Sequence, residues 1–134
     1  MKAAHLLAIA LCLQLLGSAQ ETATYIGRYT EPFPGPQVYK DPNSGSLFYV
    51  ETDGRHIAAI SNDGKLLWIR EPHKDAHVDF YRTDKPQIVG IGPRPKWYSP
   101  VGAETDLYVS ISFSNSQFGV LKVSNGDFTF LGQD

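Results

Sequence analysis

The stretch "ISNDGKLLWIRE", Ile60 to Glu71, decides how this chain is read. Asn62-Asp63-Gly64 sets two short polar side chains before a glycine, the composition of a tight turn that needs a positive φ. Leu66-Leu67-Trp68-Ile69 follows, bulky residues suited to a pleated, half-buried strand. Trp68, flanked by Leu67 and Ile69, reads as core. Upstream of the turn, "RHIAAIS" (Arg55 to Ser61) gives a second strand and Asp53-Gly54 a two-residue hairpin turn. "LFYVET" (Leu47 to Thr52) supplies a third strand. Three strands joined by tight turns make an antiparallel meander.

The C-terminal part repeats the pattern. In "LYVSIS" (Leu107 to Ser112), Leu107, Val109 and Ile111 fall on one face, and Tyr108, Ser110 and Ser112 on the other. "FGVLKVS" (Phe118 to Ser124) follows the polar turn "FSNSQ", and Asn125-Gly126 signals a hairpin into "DFTFLG" (Asp127 to Gly132). Between the halves, "HVDFYRT" (His77 to Thr83) and "QIVGIG" (Gln87 to Gly92) read as strands, and the proline-punctuated "PRPKWYSPVGAE" (Pro93 to Glu104) as a loop. "TYIGRYT" (Thr24 to Thr30) reads as a strand able to protect a sheet edge, and "EPFPGP" (Glu31 to Pro36) as irregular. No segment has an apolar period of 3.6, so little helix is expected.

The first nineteen residues have the layout of a secretory signal peptide. Lys2 gives a positive start, "LLAIALCLQLL" (Leu6 to Leu16) an apolar run, and Gly17-Ser18-Ala19 a small-residue cleavage site. Cleavage after Ala19 leaves a single all-β domain over residues 20–134, secreted or periplasmic and without a membrane span. Cys12, the single cysteine, leaves with the leader, so the domain is held by its apolar core rather than by disulfides. Twelve basic and fourteen acidic residues give a net charge of −2, which offers nothing to nucleic acid or an anionic membrane.

"LFYVETDGRHIAAISNDGKLLWIRE", residues 47–71, resembles one repeat of the quinoprotein-like (PQQ-type) β-propeller family, through Tyr49-Val50, Asp53-Gly54, Ala59-Ile60, Asp63-Gly64-Lys65 and Leu67-Trp68. Residues 107–132 resemble it less closely, without the tryptophan. The resemblance implies a blade-like sheet and carries over neither a quinone cofactor nor dehydrogenase activity, because residues 20–134 are too few for a closed wheel. Two blade-like meanders must instead cover each other's apolar faces, as a small antiparallel sandwich or a partly closed barrel.

Two clusters are candidate sites. Lys96-Trp97-Tyr98, bracketed by Pro93, Pro95 and Pro100, puts flat rings on a stiff loop, suited to stacking on a sugar or an apolar ligand; the alternative is that Trp97 caps the core. Tyr25, Tyr29, Phe33 and Tyr39 either extend that patch or pack inside. His73, His77 and Asp79 combine imidazole and carboxylate, a donor set for zinc or another divalent ion if His77 opens a strand; otherwise they belong to a solvated loop. Among local catalytic signatures there is no Gly-x-Ser-x-Gly elbow, His-Glu-x-x-His pair or phosphate loop. The sequence therefore reads as a non-catalytic exported module binding a protein, a glycan or a second copy of itself through aromatic loops. Its rivals are a propeller-family fragment acting in a larger assembly and a metal-binding exported protein.

Overall fold

A computed structural model of the chain describes residues 30–100 and 106–134. The leader and most of "TYIGRYT" lie outside the described residues. Among the described residues, eight strands form two separate four-stranded antiparallel sheets, each a plain meander. The first holds β1 (Gln37–Lys40), β2 (Leu47–Val50), β3 (Ile57–Ile60) and β4 (Leu66–Arg70). The second holds β5 (Ile88–Pro93), β6 (Tyr108–Phe113), β7 (Phe118–Lys122) and β8 (Phe128–Gly132). Neither sheet closes on itself, so of the two architectures expected, the sandwich is the one adopted and the partly closed barrel is not.

The Asn62-Asp63-Gly64 turn forms as its composition requires. The Ser61 N–H donates to the Lys65 carbonyl and the Gly64 N–H to the Ser61 carbonyl, with Gly64 at φ +85. Asp53-Gly54 is not a two-residue turn. Gly54 closes a turn on the Glu51 carbonyl, and the Glu51 N–H next donates to the His56 carbonyl, so four residues loop out between that closing pair. The Asp53 side chain explains the extra length: its Oδ1 accepts the backbone N–H groups of Arg55 and His56, at 2.9 and 3.1 Å, and folds the loop around itself.

β1 is absent from the sequence reading because four residues after a proline-rich loop carry no alternation worth noting. Asp41 makes the strand possible. Almost fully buried, it accepts the Ser44 N–H at 3.0 Å and hydroxyl at 2.6 Å and thereby tightens the β1–β2 hairpin.

"HVDFYRT" is not a strand, which corrects the expectation for that segment. One helical turn, α1 (Pro72–Asp75), occupies the approach. Pro72 stands at its start and the Asp75 carboxylate accepts the Glu71 N–H at 2.9 Å. His77 then takes φ +52, which bends the chain out of any extended path. Only one isolated bridge, Tyr81 to Thr83, follows.

The core lies between the sheets. Phe48, Val50, Ile57, Ala59 and Trp68 come from the first; Ile88, Val109, Ile111, Phe113 and Leu121 come from the second, with Val123 from the β7–β8 loop. Phe33 and Tyr39 pack against this cluster, which settles them as core-associated. Trp68 crosses the boundary: its indole N–H donates to the Val123 carbonyl at 2.8 Å. Gly126, at φ +77, lies flat against the same ring, where a Cβ would come within 2.7 Å of indole carbons. Gly126→Ala should therefore cost roughly 1–3 kcal/mol in chemical denaturation, through crowding of Trp68 and backbone strain together. Wild-type stability in that variant would show that the ring is not seated against this loop.

Candidate functional site

Three places among the described residues bear on the sites expected from sequence and on metal binding. The most organised is the loop after β5. Arg94 Nη1 donates to the Tyr98 carbonyl at 3.1 Å, and the Tyr98 N–H donates to the Pro95 carbonyl at 3.1 Å. The Tyr98 ring meets Tyr108 edge-on, with centroids 5.7 Å apart. These contacts anchor the loop at Tyr98 and leave Trp97 66 % exposed at its tip. Lys96 is exposed beside it and does not line the hollow beneath.

That hollow, about 500 Å³, runs over the outer face of the second sheet. Its floor comes from two alternations in register: Gly90 pairs with Ser112, and Gly92 with Ser110. Residues two apart on a strand share a face, so the glycines remove side chains where the serines place hydroxyls. The Ser112 hydroxyl leans over Gly90, only 2.6 Å from where a Cβ would stand. Trp97 and Phe118 line the trough as well, and among the described residues no charged one does. The Gly90–Gly92 pair was missed in the sequence; its spacing of two, matching Ser110–Ser112, was the available signal.

A second cavity of about 440 Å³ brings His73, His77 and Asp79 together with Arg55, Glu71 and Lys74. Shared lining is not coordination geometry. No three of its histidine and carboxylate donors lie within 4.8 Å of one another among the described residues. His73 is instead tied to a buried polar hub. Its Nε2 meets Gln117 Oε1 at 2.7 Å, and its ring stands edge-on to Phe113 at 5.4 Å. Because Gln117 Oε1 only accepts, Nε2 must be the donor. The Gln117 amide donates to the Asp79 carbonyl at 2.9 Å, and Asn115 donates to the Tyr81 carbonyl at 2.9 Å. The segment that lacks a sheet ladder is thus held by side chains from the β6–β7 hairpin.

The third place is the β2–β3 loop, where Glu51, Asp53 and His56 form the one three-donor group within 4.8 Å among the described residues. His56 Nδ1 is already engaged by Asp53 Oδ2, and Nε2 lies 3.4 Å from Glu71 Oε2. Arg55 approaches both carboxylates, at 3.8 and 4.0 Å. Partial burial works to raise the Asp53 pKa. The backbone N–H groups of His56 and Arg55, then the His56 ring, outweigh it and hold the group at about 2. The cluster is satisfied internally and serves as the joint between this loop and Glu71.

No family model, curated protein or solved structure matches the chain. No helix among the described residues is long and apolar enough to cross a membrane. What the arrangement offers chemically is therefore read from its own geometry: an exposed ring over an uncharged, hydroxyl-bearing trough.

Two measurements test this description. Gln117→Leu leaves the Asp79 carbonyl and His73 Nε2 without the partner described above. It should cost roughly 1–3 kcal/mol per buried group left unpaired and speed hydrogen exchange in residues 72–83 ahead of the strands; uniform exchange would contradict the hub. For Asp53 the folded pKa lies below the unfolded value near 3.9. Its stabilisation is therefore complete above about pH 4 and lost as pH falls toward 2. Asp53→Asn should flatten the acid-side fall of the melting midpoint between about pH 4 and 2. A slope unchanged from wild type would contradict the assignment.

Proposed function

We propose that the chain is a non-catalytic binding module of an exported protein, engaging its ligand through Trp97 and the trough below it. One observation carries this reading: a tryptophan two-thirds exposed on a loop whose base is fixed by Arg94, Pro95, Tyr98 and Tyr108. A large ring is ordinarily buried. Here the loop is built so that the ring stays out, and its anchoring lowers the entropy lost when a partner stacks on it. Tyr98 supports the loop; Trp97 makes the contact. Export rests on the leader-like residues 1–19.

A second reading, a unit of a larger assembly, is favoured by a separate observation. The outer face of the first sheet carries the cross-strand row Val38, Tyr49, Ala58 and Ile69, with Leu67 on the same face of β4. Val38, Leu67 and Ile69 are all substantially exposed, as is neighbouring Leu66. Such a face is what a blade-like sheet presents to a neighbour.

The two readings separate experimentally. Trp97→Ala should keep the wild-type melting midpoint and lose retention on immobilised oligosaccharides and proline-rich peptides. A variant that unfolds would return Trp97 to the core. If the assembly reading holds, light scattering should give a mass above that of one chain, reduced to a monomer by Leu67→Lys with Ile69→Lys. A wild-type monomer at high concentration would remove it.

A further inference from the structure

Resting on the binding-module reading, we infer that the Trp97 trough takes a neutral carbohydrate chain. The chemistry of its lining narrows the ligand class. Among the described residues no charged side chain lines the trough, so an anionic or cationic ligand would lose hydration there without gaining a counter-charge from them. Polar recognition is left to hydroxyls. Ser110 and Ser112 are half-buried and project from β6 onto the floor, and their hydroxyls have no hydrogen-bond partner among the described residues. A serine hydroxyl both donates and accepts, which matches the dual character of a sugar hydroxyl.

The backbone beneath is occupied. β6 is paired on both sides, with Gly90 and Gly92 across one edge and Val120 and Phe118 across the other. The floor consequently offers a peptide no ladder to join, and recognition must come from side chains. Apolar contact comes from Trp97 and Phe118. The C–H face of a pyranose ring carries slight positive charge and suits the negative face of an indole. Gly90 and Gly92 deepen the trough so that a ring can settle against the strand surface. From β5 to β7 the floor spans two strand spacings, about 10 Å. The volume, about 500 Å³, lies within the range of small-ligand sites.

The test uses the full domain and named probes: neutral gluco-, xylo-, manno- and N-acetylglucosamine oligomers, an oligouronate, and a proline-rich peptide. Binding is followed by calorimetry and by the emission of Trp97, the exposed one of the two tryptophans. At least one neutral oligomer should bind, with affinity lowered tenfold or more by Trp97→Ala. Ser110→Ala with Ser112→Ala should lower it about fivefold per hydroxyl that makes a hydrogen bond. Melting midpoints should not change. Preference for the oligouronate, or binding of neutral oligomers that ignores both sets of substitutions, would overturn the inference. Binding of the peptide alone, sensitive to Trp97→Ala, would overturn it and leave the binding-module reading standing. No probe sensitive to Trp97→Ala would overturn both.

Discussion

The structure depends on one side chain that belongs to both sheets. Trp68 leaves β4 of the first sheet, packs against Phe48 with centroids 5.9 Å apart, and donates its indole N–H to the Val123 carbonyl beyond β7. A four-stranded meander has one face it cannot leave in water, and here two such faces are joined around that ring. The ring fits because Gly126 has no side chain at the point of contact. The single cysteine, Cys12, permits no disulfide within the chain, so cohesion rests on this apolar contact and its buried hydrogen bond.

With the inner faces spent on each other, the outer faces differ in kind. The first sheet turns out Val38, Leu67 and Ile69; the second turns out Gly90, Gly92, Ser110 and Ser112. One surface is greasy and featureless, the other hollowed and hydroxyl-bearing. The long connection from β4 to β5 is a third element, neither sheet nor free loop. Gln117 and Asn115, both nearly inaccessible, bind its carbonyls and convert what would be loose chain into a wall. Rigidity at the Gln117 hub and at the Tyr98–Tyr108 contact is what allows exposed groups to hold position.

Much of the fold was legible from alternation and turns. Leu107-Val109-Ile111 and the Asn62-Asp63-Gly64 turn each act within a few residues, so local sequence states them directly. The misreadings share a cause: the deciding contact was made by a side chain to backbone, in some cases from far along the chain. "HVDFYRT" has strand-like composition, yet Gln117 and Asn115, from the distant β6–β7 hairpin, take the Asp79 and Tyr81 carbonyls. β1 depends on a buried carboxylate at Asp41, and the Asp53 loop on backbone capture, neither of which composition reveals. At the site, the prolines bracketing Trp97 made an exposed ring one of two readings, the other being a cap on the core. The floor was not, since Gly90 and Gly92 gain meaning only once β5 lies beside Ser110 and Ser112.

The two indole N–H groups offer a single measurement that reaches the centre of this account. Proton exchange followed by nuclear magnetic resonance should show one indole proton, that of Trp68, exchanging only with global unfolding. The other, that of Trp97, should exchange at nearly the rate of free indole. Two fast protons would mean that the sheets do not close around Trp68. Two slow ones would mean that Trp97 is buried and that the trough has no ring at its rim.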